Sequence, residues 1–148
     1  RSGVLVLFDE DYQFRVGKAV TLRDGKDLAI IATGIMVTEA MKAADLLKEK
    51  GIEAQVINMS TIKPLDVEAV IKAAKETGAI VTCEEHSIIG GLGGAVCEVV
   101  CENYPVPVKR VGVQDVFGQS GTPKELMEAY GLTAEDIGKA AEEVLRMK

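Results

Sequence analysis

Two hydrophobic periods alternate along the chain. Short apolar runs mark strands, and apolar residues recurring every three to four positions mark helices. Strands are expected at residues 18–22, 28–32, 54–59, 79–83 and 108–113. The run at 28–32 is apolar throughout, as in a strand covered on both faces. A helix over 36–50 places Val37, Ala40, Met41, Ala44 and Leu47 on one face. A second follows Asp66, with Val67, Val70, Ile71 and Ala74 inward, and Gly78 ends it. A third over 92–104 turns Leu92, Ala95, Val96, Val99 and Val100 inward and stops at Pro105 and Pro107. Thr122-Pro123-Lys124-Glu125 reads as a capping box with Pro at the first helical position. The short helix after it points Leu126, Ala129 and Tyr130 inward and closes at Gly131. Thr133 caps a last helix carrying Ile137, Ala140, Ala141, Val144 and Leu145.

This alternation requires a mainly parallel sheet with helices on both faces, a three-layer α/β/α domain. Locally, Asp24-Gly25 is a hairpin signal that would pair the first two strands. Residues 1–17 break the pattern. They join an apolar stretch (4–8) to an acidic one (9–11) and read as an extended linker ahead of a domain over 18–148.

Composition narrows the class. The chain has 148 residues, 47% hydrophobic and 27% charged, the balance of one ordinary globular domain. No apolar run is long enough to span a membrane. Arg1-Ser2-Gly3 opens without a secretory segment, so no signal peptide is expected. Residue 1 is Arg rather than Met, which reads as a processed chain or a piece of a longer one. Lys plus Arg is 17 against 23 Asp plus Glu, a net charge of −6 that disfavours nucleic acid as a partner. Three cysteines, an odd number, suggest reduced thiols and a cytoplasmic setting.

Candidate chemistry gathers at the carboxyl ends of strands, where ligands of open α/β sheets sit. Glu84-Glu85-His86 is followed by Gly90-Gly91-Leu92-Gly93-Gly94 at a helix start. Exposed N–H groups there favour anions, and glycine lets a ligand approach the backbone. The same glycines also serve a turn that packs the helix closely on the sheet. The dinucleotide fingerprint fails, because its third position falls on Val96. His86, the only histidine, is open to acid–base work or to a hydrogen bond with a neighbouring loop or domain. Thr33-Gly34 is open to phosphate binding or to a plain strand-to-helix turn. Cys97 and Cys101 share a helical face, but zinc needs about four matched ligands, and no metal site is expected.

Five segments in register carry a family resemblance. They are Ile31-Ala32-Thr33-Gly34, Ile62-Lys63-Pro64-Leu65-Asp66, Thr82-Cys83-Glu84-Glu85-His86, Gly90-Gly91-Leu92-Gly93 and Phe117-Gly118-Gln119-Ser120-Gly121. Over about residues 15–148 the chain resembles the carboxyl-terminal domain of transketolases, in particular those split into two polypeptides. Ser87 after Glu85-His86 looks more like transketolase than deoxyxylulose-phosphate synthase, where Asn is more usual after the two glutamates.

The resemblance implies a five-stranded sheet in the order 1-3-2-4-5 with the first strand antiparallel, which separates the two strands that Asp24-Gly25 would pair. It places Thr33, Gly34, Glu85, His86, Gly91 and Gly93 around one crevice or interface. It implies a pentose-phosphate-pathway transferase of two-carbon ketol units between sugar phosphates. Thiamine diphosphate and a divalent metal would be held by two preceding domains. Residues 1–17 then resemble the segment leaving a pyrimidine-binding domain. The Gly-Asp-Gly diphosphate motif does not occur in this sequence. No catalytic or cofactor-binding residue is therefore carried onto this chain. Its expected role is packing against the thiamine-binding domains and stabilising a homodimer, with residues 84–94 and 117–121 as contact loops. The alternatives are the same domain of deoxyxylulose-phosphate synthase, that of a 2-oxo-acid dehydrogenase beta subunit docking an acyltransferase core, and a regulatory anion- or nucleotide-binding module.

Overall fold

The computed structural model describes residues 15–114 and 120–148. In chain order the elements are β1 (Val20–Arg23), β2 (Leu28–Ala32), α1 (Met36–Glu49), β3 (Ala54–Asn58), α2 (Val67–Thr77), β4 (Ile80–Ser87), α3 (Leu92–Asn103), β5 (Val108–Val113), α4 (Pro123–Ala129) and α5 (Ala134–Met147). The all-apolar strand β2 is the sheet's centre, and its five residues are fully buried. It lies parallel to β3 on one side and to β4 on the other. β5 adds parallel to β4, and β1 adds antiparallel to β3, giving the order β1-β3-β2-β4-β5. This is the expected topology, and β1 and β2 form no hairpin. Gly25 serves another purpose, because a Cβ there would run into the backbone of Ala54 and Gln55 at the start of β3.

Side chains alternate across the sheet and divide the core in two. Leu28, Ile30, Ala32, Val81 and Cys83 pack with α1 and α5. Ala29, Ile31, Ile57 and Ile80 pack with α2 and α3. The helix faces follow the sequence pattern, with two exceptions. Val67, in the first turn of α2, is exposed rather than inward. Ala129 is exposed, because α4 is only partly covered and holds no buried residue. β4 also runs on to Ser87 instead of stopping at Cys83, since Ser87 pairs with Val113 beyond a register shift.

Carboxylates finish several helix starts. Asp66 Oδ1 accepts from the Ala69 N–H at 3.1 Å, while its Oδ2 accepts from the Ala19 N–H at 2.8 Å. One side chain thus caps α2 and pins the chain entering β1. Glu39 on α1 accepts from the Ala134 N–H at 3.0 Å, at the start of α5. Thr122 and Thr133 both make complete capping boxes. The incoming chain is fixed at the carboxyl end of β3, where the Gly17 N–H donates to Thr61 Oγ1 at 3.2 Å. Of the linker expected over 1–17, residues 1–14 lie outside the described residues. Among those described, no helix is long and apolar enough to cross a membrane.

The double use of Asp66 gives a first prediction. Asp66→Ala removes a helix cap and a strand anchor together, a loss of about 2 kcal/mol. Urea denaturation followed by circular dichroism measures it, and an unmoved midpoint would show that both bonds are replaceable by water.

Candidate functional site

Period-two alternation decides where the Glu84-Glu85-His86 run points. Ile80 and Thr82 face the α2–α3 layer, and so does Glu84. Val81 and Cys83 face the α1–α5 layer, and so does Glu85. The two adjacent glutamates therefore have opposite fates.

Glu84 is fully buried. Its Oε1 accepts from the Leu92 N–H at 2.9 Å, and its Oε2 accepts from the Gly93 N–H at 2.7 Å. Those amides open α3, whose N-cap residue Gly91 has no side chain with which to cap it. The carboxylate meets the positive end of the helix dipole with two short hydrogen bonds, a favourable setting for a buried acid. The surrounding glycines make room for it. A Cβ on Gly91 would collide with Glu84 Oε1, and one on Gly112 would come within 3.1 Å of Glu84 Cγ. A Cβ on Gly93 would meet Thr82 Oγ1 at 2.8 Å and Arg110 Cδ at 2.7 Å. Arg110 Nη1 donates to the Ile88 carbonyl at 3.0 Å and ties the β4–α3 loop to β5. The helix start that could welcome an external anion is thus occupied by the protein's own.

The six expected crevice residues all lie at the carboxyl end of the sheet, around the switch point between β2 and β4. β2 and β4 are neighbours there, and the helices that follow them leave to opposite faces. The Thr33 N–H donates to the Cys83 carbonyl at 3.2 Å. Gly34 adopts φ 62°, which favours glycine, and opens α1. Glu85 and His86 are exposed on the β4 extension. Gly91 and Gly93 belong to the seat of Glu84. Only Glu85 of the six lines a cavity of about 290 Å³, together with Ile35, Val113, Pro123, Leu126, Met127, Tyr130 and Leu132. Of the loop 117–121, residues 117–119 lie outside the described residues, while Ser120 and Gly121 are exposed.

Glu84 is the residue that sequence reasoning passed over in favour of its two neighbours. A signal existed: it shares parity with Ile80 and Thr82, and the helix after it starts with glycine where a capping side chain is usual. Neither Cys83 nor Cys97 supplies an activated thiolate. Burial pushes the Cys83 thiol far up, and the neighbouring Glu84 adds to this. Burial also raises Cys97, with Cys101 adding to it and Arg110 partly opposing. Among the described residues, no group of three or more His, Cys, Asp or Glu is placed to hold a metal ion. With the α3 amides also taken, these residues do not fit a metal-bound diphosphate.

A family model described as "Transketolase, C-terminal domain" matches residues 17–137. The 6-deoxy-6-sulfo-D-fructose transketolase subunit SqwH of Clostridium sp. (strain MSTE9) is 52% identical over 94% of this chain and 43% of its own. A 1-deoxy-D-xylulose-5-phosphate synthase of Heliobacterium modesticaldum is 44% identical over 97% of this chain and 22% of its own. A solved structure described as "Split gene transketolase, inactive beta4 tetramer" superposes with a TM-score of 0.97 at 51% identity, covering 100% of this chain and 48% of that one. The chain thus spans less than half the length of these relatives.

Two predictions follow from the Glu84 seat and its neighbour. Glu84→Ala strands two buried amides and costs about 3 kcal/mol, whereas Glu84→Gln keeps one acceptor and costs about half of that. Equal urea midpoints for both variants and the parent would refute the cap. The second concerns pH. The ordinary thiol value is 9.0, and the native Cys83 stays protonated above it while the unfolded thiol ionises. The native state then binds more protons, so stability falls as pH rises past 9, by about 1.4 kcal/mol per pH unit for one such group. Cys83→Ala removes that slope; an unchanged slope in the variant assigns the loss to other groups.

Proposed function

The chain belongs to the transketolase family as its carboxyl-terminal domain, and from that premise we propose that it is a non-catalytic packing module of a transketolase. The parent enzyme transfers a two-carbon ketol unit between sugar phosphates. Thiamine diphosphate, with its divalent metal, supplies the carbanion chemistry and is held by other domains. The transketolase reading is favoured over the synthase one by the identities, 52% against 44%. The relative's name points to a sugar outside the pentose phosphates, so the donor and acceptor sugars stay unassigned.

One observation carries the packing role. The glycine-rich start of α3 is closed by Glu84 from within. This weakens both a substrate site and a regulatory anion site at that position. What the carboxyl end offers instead is surface. Glu85 and His86 are exposed, Ile89 is 65% exposed on the β4–α3 loop, and Val16 is 68% exposed where the chain arrives. In this reading residues 1–17 link the domain to a pyrimidine-binding domain, which rests on this end. Thr33, Gly34, Glu85 and His86 border that interface, and Gly91 and Gly93 buttress it through Glu84. The assembled enzyme is a cytoplasmic homodimer of the complete catalytic unit.

The test compares two-carbon transfer by residues 1–148 alone with transfer by the full polypeptide and its partner section, both supplied with thiamine diphosphate and Mg²⁺. The expected result is turnover in the full assembly and none in the isolated chain. Turnover by residues 1–148 alone would overturn the proposal.

A further inference from the structure

Two thiols on α3 take no part in the Glu84 seat. Cys97 and Cys101 stand four residues apart within one unbroken helix, so they share a face with their Cβ atoms about 5–6 Å apart. Cys97 is partly buried and Cys101 is exposed, so neither is sealed in the core. One turn earlier on the same face is Gly93, whose missing side chain leaves the space that Arg110 crosses. A Cβ there would stand 2.8 Å from Arg110 Cγ and 2.7 Å from its Cδ. Arg110 comes from β5, the strand at the end of the sheet, and is itself exposed. Cys101 pushes the Cys97 thiol up and Arg110 pulls it down, so both lie within electrostatic reach of the Cys97 sulfur. Two thiols and a guanidinium thus form one cluster, and all three residues are described.

Geometry limits what this pair can do. A disulfide needs Cβ atoms about 3.5–4.5 Å apart, and an intact helix holds these two further apart, so they stay a dithiol. Zinc takes about four ligands, and among the described residues no group of three or more His, Cys, Asp or Glu is placed to hold a metal ion. Two thiolates alone suit a soft cation that accepts two ligands, the class of Cu(I). Two metal–thiolate bonds of about 2.3 Å in line separate the sulfurs by about 4.6 Å. Rotation about the two Cα–Cβ bonds brings the sulfurs to that distance. Binding releases both thiol protons to solvent, and one monovalent cation on two thiolates leaves a net charge of −1. Arg110 supplies the opposite charge. Coordination itself removes the protons, so the free protein needs no activated thiolate.

We propose that Cys97 and Cys101 form a two-coordinate thiolate site for a soft monovalent cation of the Cu(I) class, with Arg110 as its charge partner. The sequence expectation of no metal rested on the four ligands of zinc, and an ion that takes two escapes that count. The third cysteine does not compete, because Cys83 is fully buried on the other face of the sheet, against α1 and α5. The site is independent of the packing role. Cys101 lies in the last turn of α3, at the opposite end of the helix from the glycine turn.

The test uses the full-length polypeptide assembled with its partner section, reduced and kept free of oxygen. Cu(I) is titrated in against the chelator bathocuproine disulfonate. The expected result is one more chelator-resistant Cu(I) per chain in the parent than in the double variant Cys97→Ser with Cys101→Ser. An ultraviolet thiolate-to-copper charge-transfer band should accompany that extra ion. Each single serine variant should bind it about a hundred-fold more weakly, because the second thiolate acts as an intramolecular partner. Arg110→Gln should weaken binding about five-fold, and Arg110→Lys less. Both thiols lie outside the core, so the serine variants keep the fold, which circular dichroism checks. Equal copper content in the parent and the double variant would overturn the site. Single variants with the parent's affinity would overturn it too, since the thiols would then act separately. Parent affinity in Arg110→Gln would overturn the part given to Arg110.

Discussion

A single carboxylate holds the carboxyl end of β4 and the start of α3 together. Glu84 lies under the first turn of α3, with one oxygen on each of two successive amides. Strand β4, the glycine turn and the start of α3 converge on it, and β5 makes room through Gly112. Burying an acid is costly unless its oxygens are satisfied, and a helix N-terminus is among the few places where the backbone does this alone. The glycines at 91, 93 and 112 follow from that requirement. Each stands where a Cβ would crowd the carboxylate or the residues beside it.

The same device recurs at lower burial across the fold. Asp66 caps α2 while holding the chain that enters β1, and Glu39 reaches from α1 to the start of α5. The starts of α2, α3, α4 and α5 are thus met by the domain's own side chains, whereas the α1 start at Ile35 has no side-chain cap. In α/β proteins that bind phosphates, the corresponding amides at the carboxyl edge are left for the ligand. Here the α3 start at that edge is filled by Glu84. The residues exposed around it are Glu85, His86 and Ile89.

Much of this was legible in the sequence. Gly78, Thr122 and Thr133 set helix ends through local backbone rules, and the structure places caps at each. The apolar run at 28–32 marked the central strand because only a doubly covered strand is apolar on both faces. Strand order was not legible from local signals. Asp24-Gly25 has hairpin chemistry, yet Gly25 is set by its approach to Ala54 and Gln55, a contact some thirty residues away in sequence. The β4 boundary was misplaced at Cys83 because Glu84-Glu85-His86 looks like loop. Its extension depends on Ser87 pairing with Val113, which no local pattern encodes. Glu84 was hidden for a related reason: its burial depends on two amides eight and nine residues further on.

The most direct measurement is a titration of the chain with inorganic phosphate and diphosphate, followed through the amide resonances of Leu92 and Gly93. The account predicts that neither amide shifts saturably in the parent protein. It predicts that Glu84→Ala frees both, so that the anion now perturbs them. Saturable shifts of Leu92 and Gly93 in the parent protein would contradict it, because they would show that the helix start is open to a ligand.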